Sequence, residues 1–138
     1  MGDEVNEVVE GDGYALGNID ALGEGPGFRK VRRALGVTAF GVNAIELAPG
    51  YETGRHYHER QEELYFVHRG QIEMTFNDDA THLLGPGGAA RVDAATVRKI
   101  KNVGEESAVY LAVGGEGGYV GRDGKLPEGE TSRFGRST

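Results

Sequence analysis

The sequence predicts an all-β domain, and three observations predict it. Turn signals recur roughly every 8–12 residues through the middle of the chain. Apolar and polar residues alternate in short runs between them. Glycine supplies 24 of the 138 residues, far above the usual share of about 7%. Only 4 prolines are present and the glycines follow no repeat, so collagen is excluded and the glycine reads as tight turns. The length suits one domain with one core, and a hydrophobic content of 38% is lean but sufficient for a compact barrel.

Residues 1–27 are expected to form an N-terminal extension, partly loose: an acidic start over 1–12, a weak pattern from 14 to 22, and the loop Gly23-Glu24-Gly25-Pro26-Gly27. A barrel is expected over 28–115. It opens with a stretch whose apolar residues Phe28, Val31 and Leu35 have helical spacing, though it is short enough to be strand or turn. Its basic residues, Arg29, Lys30, Arg32 and Arg33, are read as a solvated face. Strands follow at 37–47, ended by Ala48-Pro49-Gly50, at 56–58, and at 63–68, ended by Arg69-Gly70. The run 71–76 puts Ile72, Met74 and Phe76 on one face. The turn Asn77-Asp78-Asp79-Ala80 leads into a strand at 81–84, and Gly85-Pro86-Gly87-Gly88 is another turn. Short strands at 90–92, 96–101 and 108–113 complete the barrel. Residues 116–138 read as a glycine-rich charged tail, extended, wrapping the barrel or a partner. Gly115-Glu116-Gly117-Gly118 precedes no helical pattern and receives no cofactor role.

Composition narrows the function. The formal net charge is -7, which repels phosphate backbones and anionic headgroups and makes nucleic acid and membrane poor partners. No apolar run approaches the roughly 18 residues of a membrane span. The acidic start is neither a signal peptide nor, with Asn6 where Ser or Thr is needed, a myristoylation site. Without cysteine there is no disulfide, thiolate nucleophile or iron–sulfur cluster. A cytoplasmic location is the default expectation.

The chemistry concentrates at His56, His58 and Glu63. Residues two apart in a strand point to one face, so both imidazoles can reach a single metal ion. A tight turn then folds the next strand back and brings Glu63 beside them. Two imidazoles and a carboxylate on one side of a metal leave positions open for water, dioxygen or substrate. A His-x-His pair alone is often only a polar strand face; the glutamate one turn away and the flanking glycines shift the balance towards a site. Tyr65 shares the parity of Glu63, so its hydroxyl can face the same cavity or belong to the core. His68 has the opposite parity, and His82 lies near a turn; neither is expected to be a ligand. Asn102 reads as a turn or strand-end residue.

The stretch from Gly50 to Gly70 resembles the first motif of the cupin family: Gly, five residues, His-x-His, three or four residues, Glu, six residues, Gly. Gly50, His56, His58, Glu63 and Gly70 fill its fixed positions, and the last spacing selects Glu63 over Glu62. The resemblance extends from about Leu35 to Gly115, through the phrases Ala34-Leu35-Gly36 and Leu47-Ala48-Pro49-Gly50 and the order of strands. It implies a double-stranded β-helix, or jelly-roll, barrel of the small single-domain type, often a homodimer. The second cupin motif is degraded. Gly87 and Asn102 match it, but Asp93 stands for its proline, Ala95 for its glycine, and Arg98 for its metal-binding histidine. Arginine has no lone pair to donate.

That substitution leaves three arrangements open. The metal stays on His56, His58 and Glu63 while Arg98 reads a substrate carboxylate beside it. Alternatively Arg98 pairs with Glu63 and no metal is bound, or Arg98 points outward. The first is favoured, because the histidine pair and the glutamate remain. The expected protein is a cupin holding one divalent transition metal (Fe, Mn, Ni, Zn or Cu) and taking a small anionic organic or sugar-like ligand. Any enzymatic activity would be of dioxygenase or isomerase type, with substrate contacts from Arg98 and Tyr65. The competing expectation is a non-catalytic, metal-free small-molecule binding module.

Overall fold

The computed structural model describes residues 4–23, 26–77, 80–115, 117, 121, 123–128 and 130, with the backbone alone at 136–137. The expected loop at 24–25, the turn at 78–79 and much of the expected tail lie outside the described residues.

The regular elements of the described chain are almost all short strands. A hairpin, β1 (Val9–Gly11) and β2 (Tyr14–Leu16), pairs part of the start expected to be loose. A single 3-10 turn, Ile19–Ala21, follows, its first turn capped by the Asn18 side chain. Next come β3 (Gly27–Arg29), α1 (Val31–Leu35), β4 (Gly41–Leu47), β5 (Tyr51–Glu52), β6 (Tyr57–His58), β7 (Glu62–Arg69) and β8 (Ile72–Phe76). The chain continues through β9 (Ala80–Leu84), β10 (Ala89–Val92), β11 (Arg98–Asn102), β12 (Ala108–Gly115), β13 (Gly124–Lys125) and β14 (Arg136–Ser137). The helix ends where Gly36 takes a left-handed conformation, φ 72°. No described helix is long and apolar enough to cross a membrane.

Two five-stranded antiparallel sheets, ordered β10-β7-β12-β4-β3 and β14-β5-β11-β8-β9, make the double-stranded β-helix. Their inner faces meet in one core containing Ile45, Val67, Ile72, Met74, Val92 and Ile100. Strand pleating explains the selection. On β7, Glu63, Tyr65 and Val67 are buried while Leu64, Phe66 and His68 are exposed. On β11, Arg98, Ile100 and Asn102 point inward. Each fully buried Val, Ile or Met of this core contributes about 1.5–3 kcal/mol through removal from water.

A second, smaller cluster lies on the outer face of the first sheet. There Val31, Ala44 and Val109 pack with Ile19, Leu22 and Leu35, so the N-terminal segment covers β4 and β12. Two expectations change here. Residues 37–40 are not strand; β4 begins at Gly41, and Phe40 is 44% exposed. Arg29 is not part of a solvated face. It is buried, pairs with Glu46, and donates to the carbonyls of Ile19, Asp20 and Gly23 (3.2, 3.2 and 2.7 Å), tying the N-terminal segment to the sheet.

Gly70, which turns β7 into β8, has φ 81°, and a Cβ there would meet Ala108 Cα at 2.8 Å. Only glycine accepts both conditions. Asn102 donates to the carbonyls of Leu47 (2.9 Å) and Glu106 (2.7 Å) and accepts from the Gly104 N–H (2.9 Å), a turn-fixing role.

Candidate metal centre

The segment 53–58 runs antiparallel to 94–100. The Thr53 N–H donates to Ile100 O (2.7 Å), and the His58 N–H to Ala94 O (2.7 Å). Between them His56 and Arg98 exchange both backbone bonds, at 3.0 and 2.9 Å. Extended geometry places the His56 and His58 side chains on the inner side, with ring centroids 5.4 Å apart and planes at 82°. The turn after β6 brings β7 back, and Glu63 lies near its start. One ligand atom from each of His56, His58 and Glu63 falls within 4.8 Å of the others, and all three residues are buried.

His58 Nε2 lies 3.0 Å from Glu63 Oε1, yet this buried nitrogen has no aligned hydrogen bond among the described residues. With His56 they present two nitrogens and an oxygen to one buried space. Such an N, N, O donor set suits a divalent transition metal, so the residues present fit one.

Glu63 is also held from behind. Tyr65 donates its hydroxyl to Oε1 at 2.5 Å, and Arg98 Nη2 lies 3.5 Å from the same oxygen. Burial pushes the Glu63 carboxyl up, but the His58 imidazole, the Tyr65 hydroxyl and the Arg98 charge together outweigh it and bring it down to about 2. Burial, reinforced by the Glu63 charge, pushes the Tyr65 hydroxyl well above the usual phenol range, so it remains a neutral donor.

Arg98 is 0% exposed. Nη1 donates to Thr96 O (2.7 Å) and Ala94 O (3.2 Å), and Nη2 to Asp93 O (3.4 Å). The cavity beside the cluster has a volume of about 180 Å³, with His56, His58, Glu63, Tyr65, Asn43 and Tyr110 on its walls. Of the two residues expected to touch a ligand, Tyr65 lines this cavity with its hydroxyl committed to Glu63. Arg98 does not line it; its two Nη groups face the 93–96 carbonyls and Glu63. His68 and His82 are exposed on the barrel surface.

Sequence reasoning missed Gln61 and Asp123. Both line the cavity, with Gln61 Nε2 3.0 Å and Asp123 Oδ2 3.6 Å from His58 Nδ1. Burial pushes the Asp123 carboxyl up; the N–H groups of Gln61, Arg60 and Glu59 and the charge of His58 hold it below the usual carboxylate range. No local pattern distinguishes Asp123 from the other acids of its charged, glycine-rich segment.

Comparison with known proteins agrees with this fold. No curated protein matches the chain. Among solved structures, a cupin protein from Bacteroides fragilis is 19% identical with TM-score 0.65, covering 92% of this chain and 98% of that one. An uncharacterised protein with a double-stranded β-helix domain from Klebsiella pneumoniae is 22% identical with TM-score 0.59, covering 65% and 76%. A candidate sugar phosphate isomerase from Acidithiobacillus ferrooxidans is 29% identical with TM-score 0.58; this chain spans 56% of it, matched over 63% of its own length. The cupin domain family matches residues 43–114, a little over half of the sequence, and the chain belongs to that family.

Proposed function

We propose that this cupin binds one divalent transition metal (Fe, Mn, Ni, Zn or Cu) through His56, His58 and Glu63. It then acts on a small anionic organic or sugar-like molecule in a dioxygenase- or isomerase-type reaction. The observation that carries the reading is the buried convergence of the three ligand atoms within 4.8 Å. When bound, such an ion supplies a Lewis acid that polarises a substrate oxygen or activates dioxygen.

The chain's own residues set the rest. Tyr65 and Arg98 fix the Glu63 carboxylate and keep it ionised. Glu63 and Arg98 cancel in charge, the ligating imidazoles are neutral, and Asp123 offsets only part of a divalent charge. The loaded pocket is therefore net positive, which favours an anionic ligand. The cavity of about 180 Å³ falls below the roughly 300–1,000 Å³ of drug-sized sites, so it selects molecules of a few carbons. The likeness to a candidate sugar phosphate isomerase supports the substrate class and no particular compound.

A second reading is favoured by one contact. With Arg98 3.5 Å from Glu63 and Tyr65 bonded to it, the carboxylate is neutralised without an ion, as in a non-catalytic, metal-free binding module. Elemental analysis of untagged protein purified without added metal separates the two. About one equivalent of transition metal per chain is expected. Metal-free protein that also refuses metal on titration overturns the first reading.

A further inference from the structure

The segment after the barrel returns along the outer edge of the ligand-bearing segment. β13 pairs with β6, setting Gly124 opposite His58 and Lys125 opposite Tyr57. Glu130 accepts from the Arg55 N–H at 3.1 Å, and β14 pairs with β5. The most buried of the strap's described residues is Asp123, 6% exposed. Its carbonyl accepts from the Glu59 N–H (3.3 Å), and its Oδ2 from the N–H groups of Arg60 (2.9 Å) and Gln61 (2.8 Å). Those three residues form the turn that joins His58 to the strand carrying Glu63. Oδ2 also faces His58 Nδ1 at 3.6 Å, beside the Gln61 amide at 3.0 Å.

An imidazole that offers Nε2 to a metal must keep its proton on Nδ1, and it is oriented by whatever acceptor that proton faces. A carboxylate accepts only, whereas the Gln61 amide can turn either end. Resting on the metal-centre reading above, we infer that Asp123 is a positioning residue for the metal. It fixes the 59–61 turn that spaces His58 from Glu63, and its charge, 3.6 Å from Nδ1, favours the His58 tautomer that keeps its proton there. Docking of the strap and loading of the metal are thereby coupled, each favouring the other.

The test uses the full chain and Co(II) as the probe. Asp123→Asn keeps an oxygen for the Arg60 and Gln61 N–H groups and removes the charge facing Nδ1. Asp123→Ala removes both. Co(II) affinity should fall about 10–100-fold in the alanine variant and less in the asparagine variant, with a shifted Co(II) absorption band. Circular dichroism of metal-free Asp123→Asn should match wild type, and this variant decides the matter if Asp123→Ala does not fold. In wild type, saturating Co(II) should slow trypsin cleavage after Lys125, and in the His56→Ala/His58→Ala double variant it should not. Wild-type affinity and spectrum in both Asp123 variants, or cleavage at Lys125 indifferent to Co(II), overturns the inference alone. A wild-type chain that takes up no Co(II) overturns the functional reading and this inference with it.

Discussion

His56 and Arg98 face each other across the barrel wall as a pair that exchanges both backbone hydrogen bonds, at 3.0 and 2.9 Å. Residues paired in this way sit about 5.5 Å apart at Cα and send their side chains to the same face. A fixed cation therefore stands directly opposite a proposed metal ligand, in the place where the second cupin motif carries another imidazole. The chain tolerates it because three carbonyls and Glu63 surround the guanidinium. The proposed centre is thus a three-residue cluster with a built-in positive neighbour.

Replacing that neighbour should separate its two effects. Arg98→Met keeps the apolar stem and removes the charge. Metal-free protein should lose about 3–5 kcal/mol, because a buried carboxylate loses its cation, and urea unfolding reads this directly. Metal affinity should rise several-fold, since the repulsion is gone. An affinity that falls instead would mean that Arg98 matters as an anchor for Glu63 more than as a competing charge.

The histidines make the simplest case. His56→Ala and His58→Ala should each lower metal content sharply, and the double variant should carry none by elemental analysis. Each imidazole is buried inside a closed wall, so the backbone pairing of 56 with 98 should survive and circular dichroism should hold. Wild-type metal content in the double variant would remove both residues from the site.

The parts of this centre that were legible in the sequence are those set by pleating. His56 with His58, and Glu63 with Tyr65, are fixed to one face by the two-residue period of extended chain, whatever the remainder of the fold does. Asp123 was not legible because it meets Gln61 across 62 residues of sequence, through a strand of only two residues. The orientation of Arg98 was left open for the same reason: the 93–96 carbonyls that capture it are backbone groups, which carry no residue signature. Arg29 looked solvated because its partner Glu46 sits on another strand. Residues 37–40 looked like strand because apolar content alone cannot show that β4 starts at Gly41, where its pairing with β12 begins.

Tyr65→Phe isolates the hydroxyl that Glu63 receives. A hydrogen bond to a charged group is worth roughly 1.5–3 kcal/mol, and the ring should stay against Tyr110, 6.0 Å away. Denaturant unfolding of metal-free protein should show a loss in that range, with the barrel intact. Bound metal should narrow the gap by giving Glu63 another partner. An equal loss in the metal-loaded and metal-free forms would separate the Tyr65 contact from the metal centre.

Acid should act on the metal-free chain through Glu63. Its carboxyl titrates near 4.5 when unfolded and at about 2 when folded. Between those values the unfolded chain holds a proton that the folded chain does not, so stability rises with pH across that window and is fully present above it. The contribution is on the order of 3 kcal/mol. Urea midpoints at pH values of about 5 and 2.5 should therefore fall further in wild type than in Glu63→Gln. Equal falls in the two proteins would contradict the ionised, paired state of Glu63.

Two glycine substitutions should divide fold from site. Gly70→Ala meets backbone at Ala108 Cα, 2.8 Å away, in a left-handed conformation, so it should cost about 1–3 kcal/mol in unfolding while leaving metal affinity unchanged. Gly114 pairs with Glu63 across β12 and β7. A methyl there would press on Glu63 Cγ at 3.0 Å, Glu62 O at 3.1 Å and Gln61 Cδ at 3.3 Å. The neighbours must yield by a few tenths of an ångström, and Glu63, pinned by Tyr65 and Arg98, passes that shift to its carboxylate. Gly114→Ala should therefore keep a cooperative unfolding transition and lose about tenfold in metal affinity, since small misplacements of a supporting group act strongly at a metal. Titration of both variants with Co(II), beside their unfolding curves, checks the division. Weakened metal binding in Gly70→Ala with none in Gly114→Ala would place the sensitive geometry elsewhere in the barrel.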